Sequence, residues 1–523
     1  MNTKILSTSE YDIALAGKII SEGGLVAFPT ETVYGLGADA LNDEAVKNIY
    51  RAKGRPSDNP LIVHIADKKD IAPLVREITP KAQALINAFF PAPLTIILPK
   101  SDKIGNIVSG GLDTVAVRMP ENETARRVIK AAGCPVAAPS ANTSGLPSPT
   151  RAKYVIDDMN GKIDAIIDGG DCKFGVESTV ITLASDTPTI LRPGAVTKEM
   201  LEKVIGRVEI AKAVLEEMKQ NETAASPGMK YKHYSPKAKV VIVNADKKNY
   251  EAFVNSRKNA FALCFEEDNI TIPKVTYGRE SDDLSQAKEL FDALRRLDEL
   301  GAKKVYARIP SANGVGMAVY NRLIRAAAFN VIDLKKPFTI GLTGPTGAGK
   351  GYVSRYFEEL GFNIINADLE VKKIYENNLP LSEQIAREFG NDIIVNGRID
   401  KKKLGEIVFS DSKKLKILNS IVHPAVINRC EKLAEIPSLF DAPQLFEAQA
   451  QKKCYKTIAV IADRDIRIAR IIRRDKISRA DAQKRIDAQL SEKYYVENAD
   501  FVICNNGEEN IETQINNISE EIL

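Results

Sequence analysis

The chain has 523 residues, of which 44% are hydrophobic and 27% charged, and its 73 basic and 69 acidic residues give a net charge of +4. At roughly 150 residues per domain, this length predicts about three domains. The longest apolar stretches, such as 94–99, fall short of the roughly 20 residues that a membrane helix needs, and the start has no signal-peptide pattern.

Charge and cysteine usage narrow the class of protein further. A net charge of +4 is too small for a bulk nucleic-acid binder, whose charge is strongly basic and concentrated on one face. The six cysteines are widely spaced and form no C-x-x-C pair, which favours free thiols in a reducing cytoplasm over disulfides or a zinc site. With only His64, His233 and His423, we expect no histidine cluster and a cytoplasmic protein.

The first region, to about residue 205, alternates short apolar strands with helices and Pro/Gly turns. Its polar residues fall at strand ends and in tight loops: 29–37 reads PTETVYGLG, and Ser140 and Asn142 stand two residues apart in APSANTSG. Lys53 and Arg55 place two cations in one loop, which suits phosphates or carboxylates. Taken alone, such a loop is typical of solvated surface.

The ordered motifs PTETVYGLG, KGRPSDNPLIVHI, PAPLT, VAVRMP, APSANTSGLPSPT, VESTV and LRPG resemble the YrdC-like threonylcarbamoyl-AMP synthase family along 1–205. The Lys53/Arg55 and Ser140/Asn142 pairs match that family's signature tetrad, whereas Glu121 replaces a histidine common in relatives. The resemblance implies that L-threonine, bicarbonate and ATP form threonylcarbamoyl-AMP with release of pyrophosphate. The product serves t6A modification of tRNA adenosine 37, so tRNA is met only through a downstream transferase.

The resemblance also implies roles for individual residues. Arg118 pairs with the threonine carboxylate, and Lys53 and Arg55 are catalytic. The implied ATP-binding residues are Lys53, Arg55, Asn59, Ser140, Asn142, Ser148, Arg192 and Tyr231, and the threonine-binding residues are Thr32, His64, Arg118 and Ser178. No enzyme nucleophile is required, so electrostatic preorganisation carries the rate. His64 has an alternative interpretation as a hydrogen-bonded strand histidine.

A charged helical patch and the turn-rich stretch 226–236 lead into a second region, about 237–334. There, strands alternate with helices, which predicts a small parallel, Rossmann-like sheet. No G-x-G-x-x-G turn accompanies it, so we assign it no nucleotide. The segments SPGMKYKHYSP, LFDALRRLD and GVGMAVYNRLIRAAA are similar to the two-domain form of the synthase, which implies an accessory domain whose linker lies over the active site.

After a joint at 335–337, the pattern restarts with the strand FTIGLTG and then Gly344-Pro-Thr-Gly-Ala-Gly349-Lys350 before a helix. This fits the first seven positions of the P-loop, in which backbone N–H groups and the helix N-terminus surround phosphates and the lysine reaches the outer ones. Gly351 follows, where the pattern has the Ser or Thr that holds Mg²⁺. Adenylate kinases share this G-K-G.

The region 338–523 resembles dephospho-CoA kinase. The matching segments are 341–344 (GLTG), 366–368 (NAD), 397–400 (GRID), 404–409, 423–424 (HP), 441–447 (DAPQLFE), 485–489 and 499–507. Asn366, Lys401 and Gln444 depart from the family pattern. The resemblance implies that ATP, with Mg²⁺, phosphorylates the ribose 3′-hydroxyl of dephospho-CoA to give coenzyme A. Such a transfer needs positioning, charge neutralisation and a base at the attacking hydroxyl, here Asp368.

The kinase residues that the resemblance implies include Lys350 and Asp368 as catalytic groups. The ATP-binding residues are Gly344, Thr346, Gly347, Ala348, Gly349, Lys350, Gly351, Tyr352, Arg470 and Arg474; Asp368 and Glu447 bind dephospho-CoA, and no metal ligand is assigned. Alternatives remain open: Asp368 as a helix N-cap, and the i, i+3, i+7 face of Arg467, Arg470 and Arg474 as either a lid or a solvated face. His423-Pro424 is interpreted as a structural turn before a helix.

We therefore predict an α/β protein of three domains: a YrdC-like twisted mixed sheet at 1–207, a linker at 208–236, a Rossmann-like domain at 237–334 and a P-loop kinase with a parallel sheet at 335–523. The predicted function is a bifunctional enzyme whose activities share ATP but no intermediate. Two alternatives stay open. One is an active synthase with a non-catalytic, nucleotide-binding tail, and the other is an RNA-binding protein.

Overall fold

The computed structural model describes residues 2–57, 59–214, 234–377, 379–395, 398–409, 411–507 and 510–522. The chain divides into two compact units, 1–243 with 257–331 and 244–256 with 332–523. Among the described residues, no helix is long and apolar enough to cross a membrane. The six cysteines are all free, as their spacing predicted.

The first unit is built on a large mixed sheet. Its strands are β1 (Lys4–Leu6), β2 (Val26–Phe28), β3 (Gly35–Asp39), β4 (Ile62–His64), β5 (Leu94–Pro99), β6 (Thr114–Arg118), β7 (Val136–Ala137), β8 (Ala165–Ile167), β9 (Thr179–Thr182), β10 (Thr189–Arg192) and β11 (Glu209–Ile210). Its helices are α1 (Glu10–Ser21), α2 (Asp43–Lys53), α3 (Pro80–Phe89), α4 (Asn106–Ser109), α5 (Glu123–Ala132), α6 (Ala152–Met159) and α7 (Lys198–Ile205). The eleven strands run in the order β1-β8-β2-β3-β7-β4-β6-β5-β9-β10-β11, with parallel and antiparallel pairs. This confirms the predicted mixed sheet.

Helix α2 shows how local sequence places a polar side chain inside. The Asn42 side chain caps its N-terminus by accepting from the amides of Glu44 and Ala45, and Gly54, in the left-handed conformation, ends it. Its buried face consists of Ala45, Val46, Ile49, Tyr50 and Lys53. Lys53, in the last turn, therefore shares the inward face of the helix with apolar residues.

A second, smaller sheet follows along the chain. Its strands are β12 (Lys239–Asn244), β13 (Phe261–Cys264), β14 (Lys274–Thr276), β15 (Lys304–Arg308) and β16 (Val331–Asp333), and its helices are α8 (Lys247–Asn255), α9 (Asp283–Glu299) and α10 (Gly316–Ala326). Four strands lie in the order β14-β13-β15-β12, all parallel. We call β12–β15 with α9 and α10 the middle layer. Val33 and Val176 of the large-sheet region belong to its apolar core, so the two layers pack together.

The second unit contains a parallel sheet in the order β18-β21-β17-β22-β23. Its strands are β17 (Phe338–Thr343), β18 (Asn363–Asn366), β19 (Ile394–Val395), β20 (Arg398–Ile399), β21 (Ser438–Asp441), β22 (Cys454–Ile461) and β23 (Phe501–Cys504). Its helices are α11 (Lys350–Glu359), α12 (Ala367–Asn377), α13 (Leu379–Phe389), α14 (Lys401–Phe409), α15 (Ser412–Leu433), α16 (Arg464–Asp475), α17 (Arg479–Asp487), α18 (Glu492–Asn498) and α19 (Ile511–Ile522). The predicted parallel sheet is confirmed.

The interpretation of His423-Pro424 as a turn is wrong, since both residues lie inside α15. Proline removes a hydrogen bond from a helix interior and favours a break there. In α15, however, the buried residues Leu418, Val422, Val426 and Cys430 recur every four positions across the proline. Packing of this continuous apolar face outweighs the local cost, because most helical stability in proteins comes from tertiary contacts.

Candidate active sites

A cavity of about 60 Å³, lined by both apolar and charged side chains, lies at the large sheet of the first unit. It is lined by seven of the predicted synthase residues: Arg55, His64, Arg118, Ser140, Asn142, Ser148 and Arg192. Three of them end strands: His64 is the last residue of β4, Arg118 of β6 and Arg192 of β10. Because β4 and β6 are parallel and His64 is registered with Arg118, the two side chains emerge together at one sheet edge.

Lys53 lies behind one wall of this cavity and hydrogen-bonds the loop that forms it. Its side chain is 2% exposed, and its ammonium donates to the backbone oxygens of Ser140 and Asn142, the latter at 2.6 Å. The Ser140 hydroxyl donates to Asn142 Oδ1 at 2.5 Å. Burial lowers the pKa of Lys53 well below its usual range, with the charge of Arg55 as a further cause. The tetrad is thus assembled, with Ser140, Asn142 and Arg55 on the cavity surface and Lys53 beneath it.

Arg118, which lines the cavity, forms a buried ion pair with Glu31. Arg118 donates from one terminal nitrogen to Glu31 Oε1 at 2.7 Å and to the Thr32 hydroxyl at 2.9 Å. Its Nε is buried without a hydrogen-bond partner in the part of the chain that the structure describes. Burial, and then the charge of Arg118, lower the pKa of His64 to about 3, so its imidazole is neutral at physiological pH.

A third group of side chains lies at the cavity near the start of β9 and the end of β10. Glu177 accepts a 2.6 Å hydrogen bond from the Ser148 hydroxyl. Arg192 donates from Nε to the Ser178 backbone oxygen at 3.1 Å and from a terminal nitrogen to its hydroxyl at 3.2 Å. Burial lowers the pKa of Arg192 to about 10, so it stays cationic. Ser178 also bonds the Thr95 hydroxyl at 2.8 Å.

Several predicted residues lie off the cavity surface. Lys53, Thr32 and Ser178 are buried behind it and bonded to residues that line it. Asn59 is 1% exposed, and its amide N and O have no hydrogen-bond partner among the described residues. Tyr231 lies outside the described residues.

Four residues of this region were not predicted from the sequence to belong to the site. Thr30, Glu177 and Tyr234 line the cavity, and Glu31 lies behind it. The signal was present, because Thr30 and Glu31 belong to PTETVYGLG and Glu177 to VESTV. Only the fold shows that these motif positions face the same space.

In the second unit, the loop between β17 and α11 lines a wider pocket of about 540 Å³. Gly344 and Gly349 have positive φ, and a Cβ at Gly344 would lie 2.1 Å from the backbone oxygen of Val460. Glycine is therefore required where the loop passes β22. Lys350 donates to the Gly344 backbone oxygen at 2.9 Å, and burial lowers its pKa. This is the geometry of a phosphate-binding P-loop.

Two carboxylates from neighbouring strands reach this pocket. Asp368 follows β18 and lines the pocket, whereas the capping contact belongs to Asn366, whose Oδ1 accepts from the Leu369 amide at 3.0 Å. Asp441 ends β21 and is 6% exposed, and its Oδ1 has no hydrogen-bond partner among the described residues. Burial raises the pKa of Asp441, and Lys350 opposes that shift. Asp441 lies in one of the motifs that resemble dephospho-CoA kinase, but no role was predicted for it from the sequence.

Two of the three predicted arginines of α16, Arg467 and Arg470, contact the P-loop. Arg467 donates from Nε to the Thr346 backbone oxygen at 2.9 Å. Arg470 donates to the backbone oxygens of Gly347 and Ala348 at 3.3 and 3.2 Å. Arg474 lines the pocket and pairs with Asp475 at 2.7 Å.

The remaining predicted kinase residues divide between the pocket and its surroundings. Thr346, Gly347, Gly349 and Gly351 line it, and a Cβ at Gly351 would meet nothing within 4 Å. Gly344, Ala348, Tyr352 and Glu447 are not among the lining residues. The structure therefore brings Lys350, Asp368, Arg470 and Arg474 together, and it adds Asp441, Asn366 and Gln489 to the same pocket.

The second unit has the architecture of a P-loop phosphotransferase, and the first carries a YrdC-like sheet with an attached α/β layer. Three family models match in agreement with this: "Telomere recombination" over residues 18–194, "Threonylcarbamoyl-AMP synthase, C-terminal domain" over 196–328, and "Dephospho-CoA kinase" over 338–510. The chain belongs to the threonylcarbamoyl-AMP synthase family in its N-terminal part and to the dephospho-CoA kinase family in its C-terminal part, so it is a fusion of two enzymes.

Individual relatives show how much of each family is present. The chain is 45% identical over 334 residues to the threonylcarbamoyl-AMP synthase of Pyrococcus abyssi, covering 62% of this chain and 96% of that protein. It is 46% identical over 172 residues to the dephospho-CoA kinase of Fusobacterium nucleatum, covering 32% of this chain and 89% of that protein. A crystal structure of P. abyssi Sua5 complexed with L-threonine superposes with a TM-score of 0.61 at 44% identity, over 64% of this chain and all of that one. ATP is a substrate of both families.

Proposed function

We propose that the first unit makes threonylcarbamoyl-AMP from L-threonine, bicarbonate and ATP, and that the second phosphorylates the ribose 3′-hydroxyl of dephospho-CoA. The observation that carries the first half is the convergence of His64, Arg118 and Arg192 with the loop of Ser140 and Asn142 in one buried cavity. The neutral imidazole of His64 and the guanidinium group of Arg118 suit an amino acid, and the guanidinium group of Arg192 suits a polyphosphate.

In the proposed synthase reaction, Arg118 binds the threonine carboxylate. One terminal nitrogen is engaged by Glu31 and Thr32, whereas Nε has no hydrogen-bond partner among the described residues and keeps donor capacity for the substrate. The neutral His64 beside it contacts the ligand without adding positive charge near the amino group, which must lose its proton to attack. The binding of L-threonine by P. abyssi Sua5 supports this assignment.

The amino nitrogen of threonine attacks the carbon of bicarbonate, and water leaves to give a carbamate. A carbamate oxygen then attacks the α-phosphorus of ATP, and pyrophosphate departs with the electron pair of the broken P–O bond. Arg55 and Arg192 line the cavity and stabilise the negative charge that develops, and the Ser140 and Asn142 side chains orient the nucleotide. The backbone bonds of Lys53 fix that loop before the substrates bind.

In the proposed kinase reaction, the P-loop amides and Lys350 bind the outer phosphates of ATP, and Arg470 and Arg474 approach from α16. Asp368 accepts the proton of the ribose 3′-hydroxyl as the hydroxyl oxygen attacks the γ-phosphorus, and ADP leaves with the electron pair of the broken P–O bond. The support for this is the position of Asp368 at the pocket, with the helix-capping role taken by Asn366.

The residues present fit a magnesium ion that arrives with ATP. Gly351 offers no hydroxyl, but Asp441, at the pocket, has a buried carboxylate oxygen that no group among the described residues hydrogen-bonds. Carboxylate oxygens are the ligands that Mg²⁺ prefers. We propose that Asp441 holds the ion; when bound, Mg²⁺ neutralises charge on the transferring phosphates.

The test of the synthase is product formation by the full chain with ¹⁴C-bicarbonate, L-threonine and ATP, followed by mass spectrometry. Threonylcarbamoyl-AMP and pyrophosphate form only when all three substrates are present. Pyrophosphate release independent of threonine contradicts the proposal. If the chain instead binds tRNA with a steep salt dependence and makes no adenylate, the RNA-binding alternative is correct.

The test of the kinase is conversion of dephospho-CoA to coenzyme A with ATP and Mg²⁺, beside the 3′-deoxy analogue of the acceptor. The analogue stays unphosphorylated if the 3′-hydroxyl is the acceptor. Nucleotide binding without any turnover establishes the alternative of a non-catalytic tail.

A further inference from the structure

Helix α10 of the middle layer contributes one side chain that is enclosed by the large-sheet region. Arg322 is 0% exposed and donates from Nε to Glu177 Oε2 at 3.0 Å. Its terminal nitrogens donate to the backbone oxygens of Pro193, at 2.5 Å, and of Glu177, at 3.2 Å. A single guanidinium group therefore bonds two separate segments of the synthase region.

These two segments belong to one wall of the synthase cavity. Glu177 lies two residues before β9, and Pro193 directly follows β10. The strands β9 and β10 are antiparallel neighbours, so the start of one lies beside the end of the other. Arg322 hydrogen-bonds both segments at the point where they reach the cavity.

From Arg322 the contacts continue to the cavity surface. The other oxygen of Glu177 accepts from the Ser148 hydroxyl, and Arg192, next to Pro193, donates to Ser178. Glu177, Ser148 and Arg192 line the cavity, but Arg322 does not. It therefore acts on the site only through residues it holds.

We propose that Arg322 is a positioning residue of the synthase: it fixes Glu177 and the Pro193 carbonyl so that Ser148 and Arg192 face ATP. The middle layer thereby completes the wall of a site whose other residues come from the large sheet. This role rests on the proposed function of that cavity. Its specific prediction is a change in the use of ATP rather than a loss of stability alone.

Arg308 offers a matched control within the same layer. Its side chain is 4% exposed and pairs with Asp268 and Glu280 at 2.7 Å, so it is a comparably buried arginine. Both partners lie in the middle layer, and none of the three residues lines the synthase cavity. Arg308→Met removes a buried ion pair without touching Glu177.

The experiment compares Arg322→Met, Arg322→Lys and Arg308→Met in the full chain by steady-state kinetics of threonylcarbamoyl-AMP formation. For Arg322→Met, we expect kcat/KM for ATP to fall on the order of 100-fold, because small displacements of positioning groups cost that much. The KM for threonine should change less, since Arg322 makes no hydrogen bond to Thr32, His64 or Arg118 and is linked to Ser178 only through Glu177, the residue before it. Arg322→Lys keeps a charge opposite Glu177 and should recover part of the loss.

The pH profile supplies a readout that a purely structural role would not move. Arg322 and Arg192 hold the pKa of Glu177 below its usual value against burial, and among the described residues Tyr234 and Lys53 also interact electrostatically with Glu177. Removing Arg322 raises that pKa, so the acidic limb of kcat/KM should move to higher pH in Arg322→Met. Arg308→Met should leave the limb unchanged.

The outcomes separate the two levels of the proposal. If the unsubstituted chain makes no threonylcarbamoyl-AMP, the proposed function fails. If it does, and Arg322→Met behaves like Arg308→Met in kinetics and pH profile, Arg322 is structural only and the inference is overturned. If Arg322→Met does not fold, as judged by circular dichroism, Arg322→Lys decides by the same comparison.

Discussion

In the synthase cavity the cationic side chains are buried and already hydrogen-bonded to protein groups, whereas the kinase pocket is nine times larger in volume, about 540 against 60 Å³. Lys53 bonds two backbone oxygens, and Arg118 bonds Glu31 and Thr32. The cations of the kinase pocket are hydrogen-bonded too, since Lys350 and Arg470 donate to backbone oxygens of the P-loop, but this pocket adds two carboxylates from adjacent strands. We propose ATP as a substrate at both sites, which differ in volume and in the groups that line them.

The difference follows from the reactions. A small site with preorganised dipoles stabilises developing charge strongly, because little water screens it and little reorganisation is needed. The synthase cavity, at about 60 Å³, is smaller than the roughly 300–1,000 Å³ usual for ligand pockets, so little water fits between its lining side chains. The kinase pocket has the volume for phosphates as it stands. Substitutions should therefore act in different ways at the two sites.

The largest effect is expected from Lys350→Ala. Losing the charge that reaches the outer phosphates should lower coenzyme A formation on the order of 10³-fold. Threonylcarbamoyl-AMP formation by the same protein should be unchanged, since its ATP site is separate. Lys493→Ala, at an exposed lysine of α18, is the control and should leave both activities intact. Loss of both activities on Lys350→Ala would show that the two sites are not independent.

Asp368→Asn should lower coenzyme A formation by about 100-fold, the scale of a general base. The amide keeps the size of the side chain but accepts no proton. ATP affinity, measured by calorimetry, should stay within a few fold of the unsubstituted value. If binding rather than turnover is lost, Asp368 is a binding group and not the base.

Lys53→Met should disturb the synthase through its loop. The backbone oxygens of Ser140 and Asn142 lose their donor, at a cost of about 2 kcal/mol, which corresponds to roughly 30-fold in rate if the loop must be held for reaction. The control is Lys47→Met, on an exposed part of the same helix α2. A stability loss without any kinetic change would place Lys53 outside the reaction.

His64 should make the stability of the first unit depend on pH. Its pKa is about 3 when folded and 6.5 in the unfolded chain, so below pH 6.5 the unfolded state binds a proton that the native state does not. Stability should fall as pH drops, by about 1 kcal/mol between pH 7 and 5.5. His64→Gln should remove that part of the slope, measured by urea unfolding at both pH values. An equal slope in the variant would contradict a neutral, buried His64.

The smallest effect is expected at Gly351. A side chain there meets open space, so Gly351→Ser should fit and add the hydroxyl that Mg²⁺ ligation in a P-loop ordinarily uses. The Mg²⁺ concentration for half-maximal kinase rate should fall by about threefold, a modest share of the binding energy. Gly351→Ala is the control, because it raises helix propensity as Gly351→Ser does but adds no hydroxyl. An identical shift in both variants would mean that the hydroxyl does not reach the ion.

The sequence by itself determined the enzyme class of both parts. The glycine-rich turn between a strand and a helix fixed the P-loop, because only glycine tolerates the positive φ and the close approach to Val460. The Lys53/Arg55 and Ser140/Asn142 spacings lie in contiguous motifs, so they are readable from the sequence. Residues that are close in sequence are also close in the folded protein, so a short motif can be recognised without the tertiary structure. The prediction of a turn at His423-Pro424 is wrong because packing along the whole of α15 outweighs the tendency of proline to break a helix.

Only the tertiary structure decided which side chains meet. Lys53 lies behind Ser140 and Asn142 rather than on the cavity surface, and Asp441 joins Asp368 only because β21 and β18 are neighbours in the sheet. Arg322 reaches Glu177 across 145 positions of the chain. Contacts of that kind depend on strand order and on how layers pack, and no spacing in the sequence encodes either of them directly.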